Sequence, residues 1–255
     1  MGNSDSYRLE GKTALVTGSG QGLGREIALA FARNGANLVL ADVVYPEQTA
    51  EQIEEMGVRC TSIHADISDE SNVMRLVEMA ISEGGRVDIL VNNAGLSQLS
   101  YTASEDLSID EWDRVIQVNL RGTFLCCKHI GRLMIGNGGG NIVNIASTAG
   151  ITGVARAPAY CASKAGVILL TKSLALEWAR YGIRVNAVAP HYLETELTKG
   201  LRNSEKVYHG LINAIPMKRF GKTSEVIGAV LFLCTNGSSF TTGSVITVDG
   251  GYLAQ

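Results

Sequence analysis

The sequence predicts an α/β protein: a single doubly wound parallel sheet with helices on both faces. Apolar bursts of strand length alternate with longer stretches of helical period along most of the chain. The strand candidates are continuously apolar rather than alternating, as expected of strands covered on both faces. No linker, repeat or low-complexity stretch interrupts the pattern, so the expectation is one domain spanning residues 1–255.

The elements follow in order. After a polar start from Met1 to Ser6, TALVT at 13–17 reads as a strand and GLGREIALAFAR at 22–33 as a helix. NLVLA at 37–41 is a second strand, with a helix around 47–56. A third strand at 59–64 precedes a helix near 71–81. A fourth at 89–92 leads into one long helix from about 109 to 135. NIVNIA at 141–146 is a fifth, with a helix around 157–180, and RVNAVA at 184–189 a sixth. Residues 191–216 are polar and irregular. A helix at 224–234 and a short strand at 245–248 close the chain.

Composition narrows the function classes. The chain is 45% hydrophobic and 18% charged, with 22 basic against 25 acidic residues and a formal net charge of −3. Without a basic block, nucleic acid is not an expected partner. No apolar run of about 18 residues and no signal-peptide pattern occur, so the expectation is a soluble cytoplasmic protein without a membrane partner. The five cysteines (60, 126, 127, 161 and 234) show no CxxC spacing and read as free thiols in a reducing compartment. His64, His129, His191 and His209 lack ligand spacing, so no metal is expected. Met1-Gly2-Asn3-Ser4-Asp5-Ser6 and Asn236-Gly237-Ser238 fit short lipidation and glycosylation patterns, both too loose to carry weight.

The first strand ends in Thr17-Gly18-Ser19-Gly20-Gln21-Gly22-Leu23-Gly24, and a helix starts at once. Glycines there allow a tight turn and let backbone amides approach a pyrophosphate, with the helix N-terminus adding partial positive charge. The context, between the first strand and first helix of a βαβ unit, makes this a dinucleotide site. Asp42 ends the second strand, close to the spacing at which an acid meets the adenosine ribose hydroxyls. A carboxylate there accepts from a diol and repels a 2′-phosphate, which favours NAD over NADP. Gln21, uncharged, stands where a basic residue could have steadied that phosphate.

Four further segments are Asn92-Asn93-Ala94-Gly95 after the fourth strand, Asn119 within the long helix, Ser147 after the fifth strand, and Tyr160-Cys161-Ala162-Ser163-Lys164. With the TGxxxGxG run and the tail Val248-Asp249-Gly250-Gly251-Tyr252, they make the chain resemble the short-chain dehydrogenase/reductase family, from about Leu9 to Tyr252. The resemblance implies a Rossmann-type, NAD-dependent oxidoreductase acting on a secondary alcohol or ketone. Tyr160 and Lys164 are four apart and share a helix face, so an ammonium beside the phenol favours the phenolate. Tyr160 then serves as general base or acid, and Ser147 donates a hydrogen bond to the substrate oxygen. By resemblance, Lys164 also meets the nicotinamide ribose, and Asn119 holds a water beside the lysine.

The resemblance implies further cofactor contacts at Gly18, Ser19, Gln21, Gly22, Leu23, Gly24, Asp66, Ile67 and Asn93. Asp66 would bind the adenine amine, Ile67 would pack on the ring, and Leu193 and Thr195 would hold the carboxamide. His191 departs from the pattern, standing where glycine is usual. Its ring is either turned outward or lines the pocket and meets a polar or anionic substrate. Residues 191–216 are the implied substrate-binding lid, with 97–102 and 148–156 as the other pocket walls. These carry Gln98, Tyr101, Arg156, Tyr192, Lys199, Arg202 and His209, a polar and basic set compatible with a hydroxy acid, sugar acid or polyol. Ser147, Arg156, His191 and Tyr192 are the candidate substrate contacts. The apolar helices at 109–135 and 157–180 imply a homo-oligomer, a tetramer or a dimer. Two other readings stay open: an NADPH-dependent 3-oxoacyl-type reductase, and a catalytically silent dinucleotide-binding regulator.

Overall fold

The computed structural model describes residues 8–98 and 102–255. Among the described residues seven strands form one sheet: β1 (Thr13–Thr17), β2 (Asn37–Asp42), β3 (Cys60–His64), β4 (Ile89–Asn92), β5 (Gly140–Ile145), β6 (Ile183–Pro190) and β7 (Val245–Val248). Their order is β3-β2-β1-β4-β5-β6-β7, and every pairing is parallel. The helices are α1 (Gly22–Arg33), α2 (Glu47–Glu54), α3 (Glu70–Gly84), α4 (Ile109–Ile116), α5 (Thr123–Gly136), α6 (Pro158–Trp178), α7 (Lys199–Arg202), α8 (Glu205–Asn213) and α9 (Thr223–Cys234).

Burial on both faces explains why the strands read as unbroken apolar runs. In β1, Leu15 joins a core with Val39 and Leu90 against α3, α5 and α6. Its neighbours Ala14 and Val16 point the other way, into a core built with Ile27 and Phe31 of α1 and Val226 and Val230 of α9.

Two departures from the sequence pattern bear on function. The expected helix at 109–135 is interrupted: α4 and α5 are joined by a wider π-helical stretch, Gln117–Gly122. Such stretches need a compensating interaction and often sit at functional sites. Here the insertion brings Asn119 inward. The second departure lies in 191–216, which contains the short helices α7 and α8 rather than irregular chain alone. The chain reverses its direction of winding between β1 and β4. At such a switch point the loops after neighbouring strands diverge and leave a crevice at the strands' C-terminal ends.

Candidate active site

That crevice is a cleft of about 720 Å³, lined by loops that follow β1 to β6. One end is built by the loop after β1. Gly18 is in the left-handed region at φ +64, and a Cβ on it would lie 2.8 Å from Ala94 Cα. Gly24 packs even closer, since a Cβ there would come within 2.0 Å of the Gly18 carbonyl oxygen. The side chains around the loop hold it in place. Asn93 Nδ2 donates to the carbonyls of Thr17 (3.1 Å) and Gly18 (2.9 Å). The buried Thr17 hydroxyl accepts from the amides of Asn93 and Ala94, both at 3.1 Å. Thr49 of α2 donates to the Ser19 carbonyl at 3.1 Å. Asp42 closes the set: Oδ2 accepts from Gly20 N at 2.8 Å and Oδ1 from Val44 N at 3.2 Å.

The N-terminus of α1 enters this end with no capping side chain and no acid in its first turn. Its first residues, Gly22 and Leu23, line the cleft. Asp66, Ile67 and Val118 form the neighbouring wall. Asp66 Oδ1 accepts from the Ser68 amide and hydroxyl at 2.9 and 2.7 Å. The π-helical stretch packs on this wall, with Gly122 against Ile67 and the Arg121 guanidinium donating to the Ser68 carbonyl.

The second half of the cleft gathers the hydroxyl and amine groups. Ser147 follows β5 and caps the short turn Thr148–Gly150, its Oγ accepting from Ala149 N at 3.1 Å. Tyr160 and Lys164 lie on one face of α6, with Lys164 Nζ 5.8 Å from the Tyr160 ring centroid. Ser147, Tyr160 and Lys164 all line the cleft. Nζ donates to the Ile145 carbonyl at 2.8 Å. Burial disfavours the ammonium and lowers the Lys164 pKa from 10.5 to about 8.

Asn119 does not line the cleft. It is buried and grips Leu96 reciprocally: Oδ1 accepts from Leu96 N at 2.7 Å, and Nδ2 donates to Leu96 O at 2.9 Å. Nδ2 also reaches Ser163 Oγ at 3.1 Å. A Cβ on Gly95 would meet Asn119 Oδ1 at 3.2 Å and Lys164 Nζ at 3.4 Å, so the backbone at 95 separates the two groups.

His191 is turned inward. Its ring stacks on Tyr252 with centroids 3.9 Å apart and planes at 14°, and Nδ1 pairs with the buried Thr148 hydroxyl at 2.7 Å. Nε2 is buried without a hydrogen-bond partner among the described residues. Burial pushes the His191 pKa from 6.5 down to about 4, against a smaller opposing pull from Asp249. The ring is therefore neutral near pH 7, which removes it as a cationic partner for an anion.

Most of the expected site residues come together: Gly18, Gln21, Gly22, Leu23, Asp42, Asp66, Ile67, Asn93, Ser147, Tyr160, Lys164, His191, Tyr192, Leu193 and Thr195 all line the cleft. Ser19 and Gly24 do not. The Ser19 hydroxyl is fully buried toward the Ala41 carbonyl, and Gly24 is where α1 packs against the loop. Arg156 is exposed in a left-handed conformation (φ 63), with its carbonyl accepting from Gln98 Nε2 at 3.0 Å, and it stays off the cleft wall. The rest of the expected basic lining also disperses. Lys199 pairs with Glu196 at 3.1 Å, and His209 with Glu205 at 3.7 Å. Arg202 turns onto the Thr195 carbonyl at 3.1 Å. Tyr101, like the sequence patterns in residues 1–7, lies outside the described residues. Thr17 and Thr49, which hold the loop, had only their place beside the glycine run and on the next helix to mark them.

The family description enoyl-(acyl carrier protein) reductase matches residues 18–253. The 2-dehydro-3-deoxy-D-gluconate 5-dehydrogenase of Escherichia coli (strain K12) is 39% identical over 251 residues, covering 98% of both chains. The chain belongs to the short-chain dehydrogenase/reductase family. As a member of that family it is an oxidoreductase acting on CH–OH groups. Another family member, the NAD-dependent glycerol dehydrogenase of Listeria innocua serovar 6a, is 38% identical and covers 98% of this chain and 97% of its own. The crystal structure of a gluconate 5-dehydrogenase from Burkholderia cenocepacia J2315, in complex with NADP and tartrate, superposes with a TM-score of 0.93 at 34% identity, covering 98% of each chain.

Proposed function

We propose that the protein is an NAD-dependent dehydrogenase that interconverts a small polar secondary alcohol and its ketone, with Tyr160 as the proton-transfer group. One observation carries this reading: Ser147, Tyr160 and Lys164 converge on one half of a cleft whose other half presents Asp42. The cofactor end fits a dinucleotide. Its uncapped helix amides and the loop around Gly18, which leaves no room for a Cβ, make a ready anion cradle. Gly18, Gln21, Gly22 and Leu23 would hold the pyrophosphate, Asp42 the ribose diol, and Asp66, Ile67 and Asn93 the adenosine. Leu193 and Thr195 would hold the carboxamide, and Tyr160 and Lys164 the second ribose. Ser19, Gly24 and Asn119 act behind this wall by fixing its backbone.

When bound, the nicotinamide supplies the hydride acceptor for oxidation and the donor for reduction. In oxidation the Tyr160 phenolate accepts the alcohol proton, and Lys164 stabilises that phenolate through its partly retained charge. Ser147 donates to the substrate oxygen as negative charge builds there. Asn119 holds the Leu96 backbone, and with it the wall beside Lys164. Asp42 favours NAD because a 2′-phosphate would sit against a fixed carboxylate. The Listeria relative is named for NAD and the Burkholderia structure holds NADP, so cofactor choice follows local residues.

Residues 191–216 form the proposed lid within a single catalytic domain. A cytoplasmic homo-oligomer is also proposed, because α6 exposes Leu169 (65%) and Leu176 (86%) and α5 exposes Phe124. The test is NADH or NADPH formation across secondary alcohols, polyols and hydroxy acids, with Tyr160→Phe in parallel. Turnover with NAD that is lost in the variant supports the reading. Preference for NADP would refute the Asp42 argument, and turnover unchanged in Tyr160→Phe would refute the proton-transfer role.

A further inference from the structure

The substrate half of the cleft is rich in hydroxyls and poor in cations. Ser147, Tyr160 and Tyr192 line it beside apolar Leu201, while the lining Thr148 and Thr198 hydroxyls are taken up by His191 and by the Leu193 carbonyl. Among the described residues, Lys164 and Arg114 are the only lysine or arginine side chains on the cleft wall. Arg114 is an exposed residue of α4, four residues before Val118. Lys164 is buried behind Tyr160 and held by the Ile145 carbonyl. Residues 99–101 are Leu, Ser and Tyr in the sequence and add no cation.

The cations that the sequence places in the pocket walls are not lining residues of the cleft. Arg156 is turned to solvent and Arg202 to a backbone carbonyl, while Lys199 is paired with Glu196. Glu196 is a lining residue whose exposed carboxylate is already paired with Lys199, so the two together bring no net charge. His191 stands neutral between Thr148 and Tyr252, with Asp249 the acid nearest in effect. A substrate carboxylate entering this half would lose its water and gain no fixed positive partner, which is unfavourable. Hydroxyl groups face no such penalty, because each can both donate to and accept from the wall hydroxyls.

We propose that the substrate is an uncharged polyol, or its hydroxyketone, and that the aldonic acid of the same chain length is the discriminated partner. This rests on the dehydrogenase reading above and narrows its substrate class. Two relatives bracket the choice, one named for a sugar acid and one for glycerol. The cation inventory places this chain with the second.

The experiment uses matched pairs: glycerol and glycerate, threitol and threonate, glucitol and gluconate. kcat/KM is measured with NAD, and binding is measured by calorimetry on Tyr160→Phe in the presence of NAD, so that affinity is read without turnover. The polyol is expected to lead its acid by roughly tenfold or more in both readouts, the scale of one buried charge left unpaired. Equal or better turnover and binding of the acids would overturn the proposal and leave the dehydrogenase reading intact. Failure of every pair, with no oxidation of NADH by the matching ketones, would overturn that reading and this proposal with it.

Discussion

The contact between His191 and Tyr252 gives a prediction whose size follows from the geometry. Rings 3.9 Å apart and nearly parallel are within stacking range, and such pairs contribute about 0.5–1.5 kcal/mol beyond their area. His191→Ala also removes the 2.7 Å bond to Thr148 and leaves a buried hydroxyl without its partner, a loss of about 1–3 kcal/mol. Part of this is offset, because the same substitution removes the unpartnered Nε2. The net expected loss is about 1–3 kcal/mol for His191→Ala and about 1–2 kcal/mol for Tyr252→Ala. The double variant should fall short of the sum by about 0.5–1.5 kcal/mol. Urea unfolding followed by circular dichroism reads all four proteins, at one fixed concentration because oligomer stability depends on it. Additivity within about 0.3 kcal/mol would refute the idea that the ring couples the C-terminal turn to the Ser147 loop.

Three further outcomes are expected. Because the His191 pKa falls from 6.5 to about 4 on folding, the unfolded chain binds a proton at this ring between those values that the folded chain refuses. Its contribution is fully present above about 6.5 and is lost as pH falls toward about 4, a slope that His191→Ala should flatten in denaturation curves taken across that window. Gly24→Ala drives a Cβ to 2.0 Å from the Gly18 carbonyl, so Tm should fall and the NAD dissociation constant should rise at least tenfold by fluorescence titration; binding within twofold of the parent would contradict the packing role. Asn119→Ala removes two bonds to the Leu96 backbone and one to Ser163, for an expected loss of about 2–4 kcal/mol. It should lower kcat more than it weakens NAD binding, and the reverse ordering in steady-state kinetics would argue against a role near Lys164.

The sheet was legible because its strands are buried on both faces and the glycine-rich turn has a mechanical signature. The first strand and first helix fall at 13–17 and 22–33, where the pattern places them. The interruption at Gln117–Gly122 was not legible, since apolar residues continue through it at helical spacing. Within it Asn119 reaches Leu96, a tertiary bond with no local pattern. The helix α8 carries a short stripe of Val207, Tyr208, Leu211 and Ile212, but it spans only nine residues and buries none of them fully, so it does not stand out from the polar chain around it. The site divides in the same way. Tyr160 and Lys164 are linked by helix spacing, but which way a cation in residues 191–216 faces depends on partners such as Glu196. His191 was legible as an oddity and not as a stacked, neutral ring, because Thr148 and Tyr252 are far from it in sequence.

Asp42 has a consequence for anyone who would redesign the enzyme. Its two carboxylate oxygens tether the amides of Gly20 and Val44, so the group proposed to choose the cofactor is also a structural rivet. Exchanging it for a small neutral residue to admit a phosphorylated nucleotide would loosen the turn meant to receive that nucleotide. A successful graft must therefore import a replacement acceptor for both amides along with the new charge, and transplanting the whole segment from the end of β2 to α2 is the more economical route than editing one position.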